Sequence, residues 1–334
     1  MSRKIKDTDY LGISARIKAM ENSLLSEGRM EQLLTARTEE EMLHLLQDCG
    51  YQPFSLEHPE EMDRALTQVQ EETLQDLKGG IPDRGYLEIF QTKHDYHNVK
   101  ALLKAAQVHT DAASMLMDLG RVPAEELKEA LQTGEMGNLP AILAETAAEA
   151  KNVLETTRDP QLSDMVLDRG YYRDLLETAR RTGSAFLTGY VQVMIDAANL
   201  RAVVRTLRMG KTAEFLKNVL FDGGSVSTDA LLTAVMTGGT GFTELYASSP
   251  LQDAAETGGK AVSGGPLTEF EKLCDDAVEE YLSGAQLIPF GEAPLVAYLA
   301  AKETETVNLR ILLMGRKAGL SPEVIRSRLR ASYV

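Results

Sequence analysis

The chain has 334 residues, of which 43% are hydrophobic and 25% charged, a globular balance and not that of a disordered segment. Its net charge of −15 excludes the basic face that a nucleic-acid binder needs to displace counterions from phosphates. It also argues against docking on anionic lipid headgroups.

The chain reads as helix almost throughout, and all-α is the predicted fold class. The start "MSRKIKDTDY" is basic but leads into no apolar run of the secretory type, and no run approaches the ~20 apolar residues needed to span a bilayer. A soluble, cytoplasmic protein is expected. "ARIKAMENSLLSEGRMEQLL", from Ala15 to Leu34, combines good helix formers with 3.6-residue apolar spacing. Thr38 precedes "EEEMLHLL" with Glu41 three residues on, a capping-box pattern. Gly50, Gly210 and Gly319 follow helical runs, where a left-handed cap is wanted. Ser321 is followed by Pro322, suited to a first helical position.

The main organisational fact is a ten-residue pattern that occurs three times: "DYHNVKALLK" from Asp95, "DAANLRAVVR" from Asp196 and "ETVNLRILLM" from Glu305. Each reads acid-x-x-Asn-apolar-basic. The nine signature positions are Asp95, Asn98 and Lys100, then Asp196, Asn199 and Arg201, then Glu305, Asn308 and Arg310. Each copy predicts one apolar stripe: Val99, Leu102, Leu103 and Ala106; Leu200, Val203, Val204 and Leu207; Leu309, Leu312 and Leu313, with Arg316 in the last place. Downstream, "GRVPAEELKEAL", "GSVSTDALLTAV" and "GLSPEVIRSRL" look like three further matching segments. An asparagine in mid-helix is unfavourable unless its amide finds partners. Two uses fit the triplet, a structural tie to a neighbouring loop or a partner-facing ring of polar positions. The repeat divides the chain into helical modules at 1–107, 108–210 and 211–334. The third carries a glycine-rich stretch, 221–266, and a basic C-terminal helix. That stretch reads as short helices joined by surface loops, or as a flap that settles on a partner.

Charge is uneven along the chain. Residues 31–76 hold twelve acids against Arg37 and Arg64, and residues 310–330 hold six basic residues against Glu323. These are solvated helix faces, or two ends that meet different partners.

No motif carries catalysis. "RMGKT" at Arg208 to Thr212 lacks the first glycine of a phosphate loop, which would fall at Arg205, and it follows a helix instead of a strand. The "GGTG" cluster at 238–241 lacks a strand–turn–helix setting. His94 and His97 have metal-compatible spacing, but the other copies hold Ile195 or Thr304 and Ala198 or Val307 there. Cys49 and Cys274 show no CxxC spacing, so neither a zinc site nor a structural disulfide is expected. No catalytic residue, metal, cofactor or small-molecule ligand is expected.

Three segments in order, "YLGISARIKAMENSLL", "LDRGYYRDLLETA" and "PFGEAPLVAYLAAKETETVNLRILLMGRKAGLSPEVIRSRLRASYV", resemble the C subunit of the archaeal and bacterial A/V-type ATP synthases. That family is homologous to the d subunit of eukaryotic vacuolar ATPases. The likeness runs from Tyr10 to Val334 and is weakest over 221–266. The resemblance implies a funnel of three similar helical modules around a pseudo-threefold axis, without enzymatic activity. It implies a connector on the cytoplasmic face of the membrane, joining the central shaft, made of the D and F subunits, to the membrane rotor ring of c or K subunits. That connector would transmit torque for ATP-coupled proton or sodium transport. The competing expectation is a helical-repeat adaptor outside any ATPase. If the connector expectation holds, the acidic surface of 31–76 suits basic cytoplasmic loops of the ring.

Overall fold

The computed structural model describes residues 6–238 and 241–332, and among them every regular element is helical. In chain order the α-helices are α1 (Leu11–Glu21), α2 (Glu27–Thr35), α3 (Glu39–Asp48), α4 (Pro59–Lys78), α5 (Gly85–Val108), α6 (Ala124–Thr133), α7 (Ala141–Thr157) and α8 (Pro160–Thr182). They continue as α9 (Ala185–Arg208), α10 (Ala213–Val219), α11 (Thr228–Gly238), α12 (Phe242–Leu245), α13 (Gln252–Val262), α14 (Leu267–Ser283), α15 (Glu292–Lys317) and α16 (Pro322–Arg326). Part of the "GGTG" cluster and the first five residues lie outside the described residues.

Caps set the helix starts. The hydroxyls of Ser26, Thr38, Ser184, Thr212 and Ser321 each accept from a backbone N–H three residues on, satisfying a donor that the helix leaves open. Glu41 reaches back to the Arg37 N–H at 2.7 Å, one residue before the cap.

The chain forms two compact units, one of residues 1–84 with 266–334 and one of residues 85–265. In the first, Leu25, Leu33, Leu34, Met42, Leu46, Met62 and Leu66 share a core with Leu309, Leu312, Leu313 and Ile325, so the two ends of the sequence fold as one body. Burying each such leucine contributes about 1.5–3 kcal/mol. In the second, Val99 and Leu103 of α5 meet Leu127 of α6, Leu143, Ala147 and Leu154 of α7, and Leu167 of α8. The α7–α8 approach is close because Gly170 faces Thr146: a Cβ there would sit 2.2 Å from the Thr146 Cγ2.

The predicted stripes are buried or half-buried with one exception. Ala106 is exposed, because it lies in the last turn of α5, beside Val108, which is 65% exposed. Arg316 replaces an apolar side chain by donating to the Leu34 and Ala36 carbonyls at 2.9 and 2.6 Å. Within the described part of the glycine-rich stretch, short helices are joined by loops and several apolar side chains are buried. Phe242, Tyr246 and Leu251 are at most 1% exposed, and α13 packs on α9.

Candidate functional site

The three signature asparagines do the same thing. Asn98 donates its amide to the Met117 carbonyl at 2.7 Å and accepts from the Met117 N–H at 2.9 Å. Asn199 makes the same pair with Phe221, 2.8 Å each way. Asn308 makes it with Arg330, at 3.1 and 2.8 Å. Each amide thus binds one residue's N–H and C=O together, as a neighbouring strand would, and clasps a returning loop to the middle of a long helix. All three asparagines are buried, which satisfied amides permit.

The loops return because each helix is followed by a left-handed residue eleven positions after its asparagine. Gly210 and Gly319 adopt φ of 63° and 72°, and His109 takes φ 55° at the matching place, as only a few non-glycine residues do. The next N–H then bonds back across the turn in each copy: Thr110 to Ala105, Lys211 to Thr206 and Leu320 to Gly315, at 3.0 Å each. Replacing Asn199 by alanine leaves both Phe221 groups without their partner. The expected cost is about 2 kcal/mol, with faster hydrogen exchange at the Phe221 amide. A urea midpoint and exchange rate equal to those of the unaltered chain would contradict this role.

The signature acids hold the next helix start. Asp95 accepts from the Val122 N–H at 3.2 Å, ahead of α6, and Asp196 from the Val226 N–H at 3.1 Å, ahead of α11. Glycines let the loops approach: a Cβ at Gly120 or Gly224 would lie 2.2 or 2.1 Å from an oxygen of Asp95 or Asp196. Glu305 accepts from the Leu25 N–H at 2.6 Å, ahead of α2, although Leu25 lies 280 residues away in sequence. The third copy is therefore completed by the N-terminal part of the chain. "LSEGRMEQLL" from Leu25 is the counterpart of "VPAEELKEAL" and "VSTDALLTAV". This corrects the register expected for "GLSPEVIRSRL". That segment forms α16 and matches α10, with caps Ser321 and Thr212 and clasped residues Arg330 and Phe221.

The acids differ in their second partners. At Asp95 the Arg121 Nε donates at 2.6 Å, while the same guanidinium grips Asp174 at 3.0 and 2.7 Å. Burial pushes the Asp95 carboxyl up, and Arg121 pulls it back. Asp196 takes Ser225, through its N–H at 2.9 Å and its hydroxyl at 2.5 Å. Glu305 takes the Tyr51 hydroxyl at 2.7 Å and Lys302 at 2.6 Å. Neither Arg121 nor Tyr51 recurs in the repeat, so the sequence offered no signal for them.

The signature bases tie helices together. Lys100 pairs with Asp168 of α8, and Arg310 with Asp63 of α4 at 2.6 Å. Arg201 acts on the neighbouring Tyr172, whose hydroxyl burial pushes up to about 12 while Arg201 pulls it down. The basic end of the chain meets the acidic end directly. Besides Arg310 with Asp63, Arg326 pairs with Glu31 at 2.6 Å, and Lys317 donates to the Leu56 carbonyl at 2.6 Å. His97 sits on the Met115 carbonyl at 2.9 Å, and burial lowers His94 to about 3.

The family model described as ATP synthase (C/AC39) subunit matches residues 13–328. The chain belongs to that family. It is 26% identical over 328 residues to the C subunit of the V-type sodium ATPase of Enterococcus hirae, covering 97% of this chain and 99% of that protein. It is 28% identical over 345 residues to the C subunit of the A-type ATP synthase of Methanocaldococcus jannaschii, covering 95% of this chain and 85% of that one. The corresponding A-type protein of Thermococcus kodakarensis is 25% identical over 340 residues, covering 96% of this chain and 90% of that one. A member of this family is a structural subunit of a rotary ATPase complex and not its catalytic part. Among the described residues no helix is long and apolar enough to cross a membrane, so the chain brings no described span to that complex.

Proposed function

We propose that the chain is the central-stalk connector of its rotary ATPase. In this reading it holds the foot of the D–F shaft and seats on the membrane rotor ring from the cytoplasmic face, passing torque from one to the other. Three copies of the clasped repeat share the task, the third completed by the N-terminal part of the chain. The observation that carries the reading is the triple asparagine clasp. A torque coupler needs a body that resists twisting more than it needs tuned titration, and close-packed helices with loops bonded to their middles deform little. The side chains of Glu40, Asp48 and Glu57 are exposed and have no hydrogen-bond or ion-pair partner among the described residues, which leaves them for basic loops of the ring.

Native mass spectrometry of the full chain with the purified D–F pair, and separately with the detergent-solubilised ring, tests this. One copy bound in each mixture is expected. Reversing Glu40, Asp48 and Glu57 to lysine should weaken ring binding and spare shaft binding. A folded chain that binds neither would sink the connector reading and favour the adaptor.

A further inference from the structure

The three clasps repeat, but the charges beside them do not. Beside the third, Arg326 of α16 pairs with Glu31 of α2, at 3.2 and 2.6 Å. Both line a small cavity next to the clasped Arg330. Beside the second clasp lies an open groove of about 840 Å³ in the unit of residues 85–265, formed by α8, α10, the clasped Phe221 and the start of α11.

The repeat gives each residue its counterpart. Lys217 follows Asn199 by 217 − 199 = 18 residues, as Arg326 follows Asn308 by 326 − 308 = 18. Leu232 follows Val226 by 232 − 226 = 6, as Glu31 follows Leu25 by 31 − 25 = 6, and Val226 and Leu25 donate the equivalent N–H groups to Asp196 and Glu305. So the second groove keeps the cation and loses its carboxylate: Lys217 and Leu232 both line it.

The other charges do not replace the missing carboxylate. Arg180 and Lys217 have no side-chain hydrogen-bond or ion-pair partner among the described residues. Arg169 donates only to the Asn218 carbonyl at 3.2 Å, and Arg173 is taken by Glu145 outside the groove at 2.8 Å. Of the lining acids, Asp222 accepts from the Thr228 hydroxyl and Asp229 sits in the first turn of α11, where the helix's positive end offsets it. Glu177 lines this groove and a second one, three residues before Arg180 on α8. The floor is apolar, with Tyr172, Leu176 and Phe221.

We propose that this groove receives a carboxylate-bearing segment of the shaft pair, its acid set between Lys217 and Arg180 where the chain's own Glu31 meets Arg326 in the third repeat. The proposal rests on the connector reading. The ring is the less suitable partner, because its cytoplasmic loops are expected to carry excess Lys and Arg, which Lys217 and Arg180 repel.

The test is a titration of the full chain with the purified D–F pair at low and high salt, comparing the unaltered protein with the double variant Lys217→Glu, Arg180→Glu, with ring binding measured in parallel. The variant should bind the shaft at least about tenfold more weakly, with a flatter salt dependence, unchanged ring binding and an unchanged helical circular dichroism spectrum. Lys217→Arg with Arg180→Lys should bind as the unaltered chain does. If charge reversal perturbs the fold, the pair Lys217→Gln, Arg180→Gln serves instead, with a smaller loss expected. Shaft binding by the folded variant within twofold of the unaltered chain overturns the proposal and leaves the connector reading intact. Loss of ring binding alone also overturns it. Failure of the unaltered chain to bind the shaft overturns both.

Discussion

Replacing Arg121 by methionine should destabilise the protein by about 3–5 kcal/mol, the cost of breaking a buried ion pair from one side. Arg121 is 9% exposed at its side chain and serves two carboxylates at once, Asp95 through Nε and Asp174 through both terminal nitrogens. Asp95 and Asp174 are 0% and 4% exposed. Burial disfavours the Arg121 charge, yet its bonds to Asp174 and Asp95 more than compensate and hold its pKa above the usual arginine value. Without the guanidinium, two acids face each other out of water. The Tyr96 hydroxyl at 3.3 Å from Asp174 and the Val122 N–H at 3.2 Å from Asp95 are too few donors to stabilise both.

The same variant should show a second signature, in its dependence on pH. Burial already pushes Asp95 up while Arg121 restrains it, so removing Arg121 frees that carboxyl to rise further. A raised folded pKa means stability that is present at low pH and lost as pH rises through it. The deficit of the variant should therefore be smaller at pH 5 than at pH 8 in urea denaturation. Changing Asp174 to asparagine in the same chain should recover part of the loss, because one buried charge then disappears. A deficit under about 1 kcal/mol that does not vary with pH would mean that water reaches the pair and that burial does not govern it.

The parts of this molecule that were legible in the sequence are the local ones. Helix caps at Thr38 and Ser321, the left-handed glycines and the apolar stripes around Asn98, Asn199 and Asn308 depend on residues a few positions apart, and helical periodicity exposes them. What stayed hidden depends on distant residues. Nothing near Glu305 announces that its partner is the N–H of Leu25, and the cap-like "SPE" at Ser321 drew "GLSPEVIRSRL" into the wrong register. The opposite charges of 31–76 and 310–330 were visible, but not that they partly neutralise each other through Glu31 with Arg326 and Asp63 with Arg310. The repeat itself held the correction: "LSEGRMEQLL" matches the segments after the first two clasps, once the comparison is allowed to run from one end of the chain to the other.

Changing Glu279 to glutamine should make the protein more stable at pH 8 and leave it nearly unaltered at pH 4. Glu279 lies on α14 with one oxygen accepting from the Thr304 hydroxyl of α15 and the other, Oε2, buried without a hydrogen-bond partner among the described residues. Burial pushes its carboxyl up to about 7. Thr304 opposes that shift, while Glu303 on α15 and Asp275 and Asp276 on α14 add to it. The folded state thus holds the proton more tightly than the unfolded chain, where a glutamate titrates near about 4.3. The stabilising contribution of the protonated form is complete below about pH 4 and is lost as pH rises through 7. At about 1.4 kcal/mol per pKa unit, the full loss by pH 8 is about 3–4 kcal/mol. Glutamine keeps the shape and can still accept from Thr304, but it has no proton to lose. The difference in unfolding free energy between variant and unaltered chain should grow from near zero at pH 4 to about 3–4 kcal/mol at pH 8. Parallel stability curves for the two proteins from pH 4 to pH 8 would show that Glu279 titrates as an ordinary glutamate and that its orphaned oxygen finds water.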